Sequence, residues 1–186
     1  TGKCMLATSL ATRLGINKVI STDSIREIMR LAFSNDLLPT LFHSTTEAWK
    51  GLPMEFQSSE QLIAGYCLQA NQVSLGVRAV VERTVEEGEN LIVEGAHLVP
   101  FLHEIAKKEM VDAYHIPITL SIMNEKHHRE RFSERGTKNL RKIENFYLER
   151  FDGIRSIHEY TLTQCETDEV EVFDNEDLDE TLNLII

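Results

Sequence analysis

Three short stretches of the sequence carry residues that could bind a phosphorylated ligand or act on it. The chain opens with TGKC at residues 1–4, and a Gly-Lys pair at the start of a helix is typical of loops that bind phosphates through backbone N–H groups and a lysine. Asp23 follows the short apolar stretch KVIST, and Glu94 closes the apolar stretch LIV. A carboxylate at either place could accept a proton or hold a metal-bound water.

The opening pair is a weak signal by itself, because any helix can begin with Gly2-Lys3. A complete phosphate-binding loop also has a Ser or Thr whose hydroxyl binds Mg²⁺, and Cys4 stands where that hydroxyl is expected. A thiol is a poor ligand for a hard cation that prefers oxygen. Cys4 therefore raises the question of whether this helix start can hold a metal–nucleotide complex.

Asp23 lies where a strand is predicted to give way to a helix. Its carboxylate could orient a substrate hydroxyl for attack on a phosphoryl group. Alternatively Asp23 or Thr22 is the N-cap of the helix, a contact that is worth about 1 kcal/mol. Arg26 and Arg30 lie one turn apart on that helix, and like charges at this spacing repel each other. A shared anion is therefore an alternative to a solvated helix face.

Glu94 ends a strand that is expected to be buried on both faces, where a charged group needs a partner. A magnesium-bound water or Lys3 could be that partner, and the alternative is a helix cap or a structural ion pair. None of the seven histidines has the spacing of metal ligands. His97, close behind Glu94, is the one expected near the site.

The charged segment NEKHHRERFSERG, residues 124–136, is predicted to form a helix that ends at Gly136. Pairing of Glu125 with Arg129 accounts for part of its charge as a solvated face. Arg131 and Arg135 are expected to lack such partners. Guanidinium groups on a helix that closes over a nucleotide would neutralise charge that develops on a transferred phosphoryl group.

Hydrophobic periodicity predicts helices and strands that alternate along the chain. The predicted helices cover residues 3–14, 23–33, 58–88, 103–109, 124–136, two segments within 139–166, and a last helix from about 177. The predicted strands lie at 17–22, within 90–97, at 114–123 and at 170–174. Residues 34–57 are predicted to be irregular, with one short helix around Trp49, and could carry substrate contacts.

This alternation, with several unbroken apolar strands, predicts an α/β fold in which helices cover both faces of a parallel sheet. In such sheets, ligands bind beyond the carboxyl ends of the strands. The pairs Gly2-Lys3, Thr22-Asp23 and Glu94-Gly95 all fall at that edge. One shared crevice is therefore expected to contain them.

The composition excludes some partners. Thirty acidic and nineteen basic residues give a net charge of −11, which argues against binding to nucleic-acid backbones or anionic membrane surfaces. The three cysteines include no C-x-x-C pair, so neither a zinc site nor a disulfide is predicted. A chain of 186 residues with neither a signal segment nor an apolar membrane span is expected to be a single cytoplasmic domain.

Longer motifs carry a resemblance to a known family. The segments VISTDSIREIMR, LLPTLFHSTTEAWKGL, LIVEGAHLVP, HHRERFSERG, IRSIHEYTLTQ and FDNEDLDETL together resemble the 2-phosphoglycerate kinase family of P-loop kinases, from Thr1 to Ile186. The resemblance implies a three-layer P-loop kinase fold with a mostly parallel sheet, helices on both faces and a helical lid at about 124–140. It also implies ATP and Mg²⁺ as cofactors, and transfer of the ATP γ-phosphate to the 3-hydroxyl of 2-phosphoglycerate.

Matched position by position, the resemblance implies roles for individual residues. The candidate catalytic residues are Lys3, Asp23, Arg131 and Arg135. The candidate nucleotide contacts are Gly2, Lys3, Cys4 and Arg129. The candidate acceptor contacts are Asp23, Arg26, His43 and His97, with Ser44 and Trp49 in the same family segment as His43. The candidate metal ligands are Cys4 and Glu94.

Two features depart from the family pattern. The strand and glycines that precede the nucleotide loop in the family are not in this sequence, so the single domain 1–186 is expected to lack the first strand and the start of the loop. Cys4 replaces the family's Ser or Thr. The alternatives are a nucleotide-binding but inactive regulatory module, or a kinase of another hydroxy or sugar acid. The expected partner is a small phosphorylated acid, with no nucleic acid and no membrane, and a homodimer is left open.

Overall fold

The structure is a computed structural model that describes residues 2–53, 60–99, 113–138 and 147–186, with 133–138 described as backbone only. The strands are β1 (Lys18–Ser21), β2 (Leu91–Glu94), β3 (Ile118–Ser121) and β4 (Glu171–Asp174). The α-helices are α1 (Lys3–Leu14), α2 (Thr22–Ala32), α3 (Gln61–Glu86), α4 (Glu125–Lys138), α5 (Phe151–Asp168) and α6 (Leu178–Ile185). Two 3₁₀ helices span Pro39–Phe42 and Thr45–Gly51.

These elements confirm the predicted α/β fold, and several predicted boundaries differ from the observed ones. The strand predicted over 114–123 pairs only from Ile118 to Ser121. Tyr114 and Ile116, which precede the paired residues, are almost fully exposed. The charged helix α4 continues past Gly136 to Lys138. The helix predicted at 103–109 and residues 139–146 lie outside the described residues.

The strands form two parallel pairs, β1 with β2 and β3 with β4. All four residues of β2 and the first three of β3 line one and the same cavity. Successive side chains of a strand point to opposite faces, so a cavity that touches every residue adjoins the edge of the strand rather than one face. Within the described residues, the two pairs thus turn unpaired edges toward a common gap.

Helix α1 packs across both strand pairs. Its buried Leu6 and Leu10 form a cluster with Leu182 of α6, and Ile92 of β2 and Leu120 of β3 pack against that cluster. The helix ends before Gly15, which adopts the left-handed conformation at φ 67°, as the sequence pattern predicts. Leu14, four residues after Leu10, is 53 % exposed.

Helix α2 and the segment that follows it form the second core cluster. Ile25 and Met29 of α2 are buried with Leu41 of the first 3₁₀ helix and with Val73 and Val77 of α3. The segment predicted to be irregular is therefore packed against the core at Leu41. Ile28, three residues after Ile25, is 66 % exposed.

Helix α3 runs unbroken through Gly65 and Gly76. Glycine at these two positions allows close packing of neighbouring elements. A Cβ at Gly65 would collide with the backbone of Trp49 in the second 3₁₀ helix, and a Cβ at Gly76 would lie 2.5 Å from Ile25 Cγ2. The short helix predicted around Trp49 is present and rests directly on α3. This contact fixes the position of the second 3₁₀ helix on α3.

This packing predicts that Gly65→Ala destabilises the protein. Alanine in a helix interior normally stabilises by about 0.5–1 kcal/mol relative to glycine. At Gly65 the new methyl group meets rigid backbone, so we expect the free energy of unfolding to fall by about 1–3 kcal/mol. Urea denaturation measures the change, and Leu75→Ala at an exposed position of the same helix is the control. A stabilised Gly65→Ala variant would contradict the described contact.

Candidate active site

The carboxyl ends of β1 and β2 lie side by side at one edge of the fold. Ser21 is paired with Glu94 in the parallel register, so β1 and β2 end at the same level of the sheet. Gly95 follows with φ 151°, and a Cβ at this position would collide with Thr22 Oγ1. Glycine is therefore required for the two chain turns to approach this closely.

Asp23 is the second residue of α2 and does not cap it. The N-cap is Ser21, whose side chain accepts a hydrogen bond from the Ser24 amide at 3.1 Å, so the predicted cap at Thr22 or Asp23 is wrong. Thr22 is fully buried instead. The Asp23 side chain is 69 % exposed, lies 3.9 Å from the Arg26 guanidinium and lines the crevice. Its carboxylate is placed to accept a proton from a bound hydroxyl.

Arg26 and Arg30 both contact the carboxylate of Glu27, a residue of the same helix. Glu27 Oε1 lies 3.2 Å from Arg26 Nη2 and 2.9 Å from Arg30 Nη1. Arg26 Nη1 also donates to the His43 carbonyl at 2.7 Å, and Arg26 lines the crevice. Arg30 instead lies over the Phe42 ring, 5.2 Å from its centroid. The two arginines therefore have different surroundings despite their helical spacing.

The start of α1 has the features of an anion site. Gly2 is the N-cap in the left-handed conformation, with φ 80° and ψ 11°, and the first turn contains no acidic residue. The partial positive charge of the helix end is thus not offset by a carboxylate of its own first turn, which favours a bound phosphate. Lys3 lines the crevice and Cys4 is exposed.

The described residues fit a magnesium site only in part. Glu94 ends β2 and lines the crevice. No group of three or more His, Cys, Asp and Glu side chains that could hold a metal ion occurs in the part of the chain that the structure describes. Mg²⁺ is usually held by one or two carboxylates together with substrate phosphates and water. Glu94 fits such a site, whereas the thiol of Cys4 does not.

The turn after the first 3₁₀ helix brings a row of hydroxyls to the crevice. Ser44, Thr45 and Thr46 line it. His43 contributes its backbone carbonyl, which accepts from Gln69 Nε2 at 3.0 Å as well as from Arg26. The acceptor contact of the His43 side chain stays a prediction. Thr45 and Thr46 were missed by the sequence reasoning, although the run STT inside an irregular segment was a usable signal.

His97 lies beneath this surface and is only 1 % exposed. Its Nδ1 is 2.8 Å from Thr22 Oγ1, and its Nε2 is 3.1 Å from Gln69 Oε1 and 3.4 Å from Thr45 Oγ1. Both ring nitrogens are thus engaged within the protein. The acceptor contact predicted for His97 stays a prediction, and the geometry is that of a residue that supports its neighbours.

The side-chain amide of Gln69 determines the tautomer of His97. Gln69 Nε2 donates to the carbonyls of Thr40 at 2.6 Å and His43 at 3.0 Å, so its Oε1 faces His97 and accepts from Nε2–H. The Nδ1 atom then accepts from the Thr22 hydroxyl. This chain of hydrogen bonds connects α3, the turn before Ser44, the segment after β2 and the start of α2.

Burial lowers the pKa of His97 to about 4, and the charges of Arg26 and Lys3 lower it as well, while Asp23 opposes them. The ring is therefore neutral near pH 7. The neighbouring charges are also those of the crevice. The charges of three predicted site residues, Asp23, Arg26 and Lys3, thus act on the buried ring of His97.

The arginines of α4 contact protein groups in this structure. Arg129 lies over the Phe151 ring, 4.8 Å from its centroid, and Arg131 Nη2 donates to the Glu176 carbonyl at 2.5 Å. The partner of Arg131 is thus a backbone carbonyl outside the charge pattern of its helix. The side chain of Arg135 lies outside the described residues. Their roles in a lid stay predictions.

A single cavity of about 1800 Å³ joins these groups. Of the sequence-predicted site residues, Lys3, Asp23, Arg26 and Glu94 line it. The same cavity includes the gap between β2 and β3, so only part of this volume lies at the strand ends. Arg150, next to the start of α5, also lines it. No local motif marks Arg150, and the sequence reasoning missed it.

Parallel strand pairs with helices between them, and a crevice at the strand ends, define an α/β protein of the P-loop kinase-like class. Comparisons with known proteins define the class further. The chain is 37 % identical to the 2-phosphoglycerate kinase of Methanopyrus kandleri, 38 % to that of Methanocaldococcus jannaschii and 39 % to that of Pyrococcus furiosus. The chain belongs to the 2-phosphoglycerate kinase family.

These similarities cover 99–100 % of the chain and 56–59 % of each relative. The chain thus spans a little more than half the length of the curated relatives it matches. No protein-family model matches the chain, and no solved structure matches it significantly.

The buried His97 predicts how stability depends on pH. The unfolded chain binds a proton at His97 near its ordinary pKa of 6.5, whereas the folded protein resists protonation down to about pH 4. Acidification through this window therefore lowers the free energy of unfolding, by at most about 1.4 kcal/mol per pH unit for this group. Stability no longer changes through His97 below pH 4.

The measurement is urea denaturation at several pH values between 4 and 7, for the parent and for His97→Gln. Loss of the titrating group is expected to flatten the pH dependence. The exposed His127→Gln variant is the control for changing a histidine as such, since the His127 side chain is 50 % exposed. Equal slopes in the parent and His97→Gln would contradict a buried neutral ring at this position.

Proposed function

We propose that the protein is an ATP-dependent kinase that phosphorylates 2-phosphoglycerate to 2,3-bisphosphoglycerate. The names of the relatives support this acceptor. The observation that carries the proposal is the single crevice in which the start of α1, Asp23 and Glu94 meet. Phosphoryl transfer depends mainly on positioning and on electrostatic stabilisation, and each of these groups would supply one part of it.

The nucleotide would lie at the start of α1. Lys3 and the backbone N–H groups of the first turn would bind the phosphates of ATP, and Gly2 in its left-handed conformation lets the chain enter the helix there. ATP, when bound, supplies the phosphoryl group. Glu94 would hold Mg²⁺ through its carboxylate or through water.

The acceptor would lie between Asp23 and the turn at Ser44. As the acceptor oxygen bonds to the γ-phosphorus and the bond from phosphorus to the ADP oxygen breaks, the Asp23 carboxylate takes the hydroxyl proton. Arg129, Arg131 and Arg135 would neutralise charge on the transferred group if α4 closes over the nucleotide.

We also propose that a strand preceding Thr1 lies between β2 and β3. The gap between the two strand pairs is lined by every residue of β2, and a parallel strand there would lead directly into Gly2 and α1. Such a strand would join the two pairs into one sheet and would bring the rest of the phosphate-binding loop to Lys3.

The protein is also proposed to act in the cytoplasm on a small-molecule substrate, with a homodimer as a further proposal. In the part of the chain that the structure describes, none of the helices combines the length and the apolar character needed to cross a membrane. The strongly negative net charge of −11 supports the absence of nucleic-acid partners.

The alternative function is a nucleotide-binding module without turnover. Its specific support is the exposed thiol of Cys4 on the first turn of α1, where a hydroxyl would serve Mg²⁺ better. Under this alternative the protein binds ATP without transfer, and Cys4→Ser gains Mg²⁺-dependent turnover.

The kinase proposal predicts that Asp23→Asn and Lys3→Ala each lower kcat at least about 100-fold, through loss of the proton acceptor and of a phosphate contact respectively. Transfer from labelled ATP to 2-phosphoglycerate measures this in the complete protein. Asp36→Asn and Lys126→Ala, at exposed positions, are the matched controls. Equal rates in the parent and both site variants would refute the assigned roles, and turnover only in Cys4→Ser would favour the inactive module.

The strand proposal predicts slow amide exchange on both sides of the gap in the complete protein. Alternate N–H groups of a strand point to opposite neighbours, so all amides of residues 91–94 and 118–121 are protected only if both edges are paired. Hydrogen exchange followed by NMR measures this, with residues 18–21 on the outer side of β1 as the internal reference. Fast exchange of about half the amides in both β2 and β3 would contradict the proposal.

A further inference from the structure

A cluster of charged groups that the proposed mechanism does not use lies beside the acceptor end of the crevice. It is centred on Glu47 in the second 3₁₀ helix. The Glu47 carboxylate is 2.5 Å from Lys50 Nζ, 3.0 Å from Ser44 Oγ and 3.2 Å from Arg150 Nε. Hydrogen bonds from Lys50 and then from Arg150 lower the pKa of Glu47 to about 2. The carboxylate therefore stays ionised and holds the Nε edge of Arg150.

The first turn of α5 brings Arg150 to the hydroxyls of the crevice. Gly153 packs so closely that a Cβ there would lie 3.7 Å from Thr46 Cβ and 3.1 Å from Leu62 Cδ1. The Arg150 side chain is 25 % exposed and lines the crevice together with Ser44 and Thr46. Its guanidinium is thus anchored at one edge and partly shielded from water.

A second guanidinium, that of Arg26, contacts the same segment. Arg26 Nη1 donates to the His43 carbonyl at 2.7 Å, and its side chain is only 14 % exposed. Arg26 of α2 thus contacts one end of segment 43–47 and Arg150 at the start of α5 contacts the other, and both arginines line the crevice. Partial burial strengthens the attraction of each guanidinium for an anion.

We propose that Arg150, with Arg26, forms the subsite for the phosphate group that the acceptor already carries, and that the Thr46 hydroxyl donates a further hydrogen bond to it. This inference rests on the proposed function and names the residues that select a phosphorylated hydroxy acid. The planar guanidinium fits phosphate oxygens in a bidentate manner. Glu47 is a positioning residue that acts through Arg150.

Local capture of this kind is needed because the protein as a whole repels the acceptor. The net charge of the chain is −11, whereas the acceptor carries a carboxylate and a phosphate. Favourable binding must come from cations inside the crevice. Arg150 and Arg26 are two such cations, and they are supplied by separate elements.

A competing explanation is that Arg150 and Glu47 only fasten α5 to the second 3₁₀ helix. The two explanations differ in what they expect of the two partners. If the pair is only structural, Arg150→Met and Glu47→Gln have similar effects. If Arg150 binds phosphate, Arg150→Met is far more damaging, because Glu47→Gln leaves the guanidinium of Arg150 in the crevice.

The experiment is steady-state kinetics of the complete protein with 2-phosphoglycerate and ATP. We expect Arg150→Met to raise the KM for 2-phosphoglycerate at least about tenfold, in line with the loss of a charge-assisted hydrogen bond, and to change the KM for ATP less than about twofold. Arg150→Lys, which keeps the charge without the planar fork, is expected to be intermediate. Glu47→Gln is expected to raise the acceptor KM less than about threefold. Arg83→Met, an exposed arginine on α3, is the control.

A second measurement separates this inference from the proposed function. Calorimetry with inorganic phosphate, in the presence of saturating Mg²⁺ and a non-hydrolysable ATP analogue that fills the nucleotide site, is expected to show binding that Arg150→Met weakens at least about fivefold. This result would support the subsite even if the parent does not phosphorylate 2-phosphoglycerate. Equal phosphate affinity in parent, Arg150→Met and Arg150→Lys, or equal KM changes in Arg150→Met and Glu47→Gln, would overturn the proposal.

Discussion

The hydrogen bond between the buried Thr22 hydroxyl and the ring of His97 ties together the two strand ends on which the site depends. The bond is 2.8 Å long and fully enclosed, and it forms only because Gly95 lets the chain after β2 pass directly over Thr22. A buried polar pair of this kind is costly when broken, since neither group finds water in its place. The positions of Asp23 and Glu94, on either side of this contact, follow from it.

The same network extends to the acceptor side of the crevice. Gln69 fills its own hydrogen-bonding capacity with the carbonyls before Ser44 and with His97. Movement of the turn would therefore disturb the strand ends as well. Ligand binding imposes a second requirement, on charge. A chain of net charge −11 can bind polyanionic ligands only where cations such as Lys3, Arg26 and Arg150 are concentrated in one place. The fold supplies these cations from three separate elements.

Features with a local cause were accessible from the sequence. The limits of α1 follow from Gly2 and Gly15, and Asp177 caps α6 as its position before an amphipathic stretch indicates. Alternation of apolar strands with helices was enough for the α/β class, and for the expectation that strand ends carry the site. The family resemblance added assignments that spacing alone does not support.

Features set by contacts between distant parts of the chain were not accessible. Ser21 rather than Thr22 caps α2 because His97 draws the Thr22 hydroxyl into the core. Arg131 finds a backbone carbonyl, a partner that no charge pattern reveals.

The central claim is that one crevice receives both the nucleotide and the phosphorylated acceptor. The most direct measurement is amide chemical-shift mapping by NMR on the complete protein, first with a non-hydrolysable Mg²⁺–ATP analogue and then with 2-phosphoglycerate. The account predicts shifts at the start of α1 and around Glu94 in the first step, and at residues 43–47 and around Asp23 in the second. Shifts confined to surfaces away from these residues, or displacement of one ligand by the other, would contradict it.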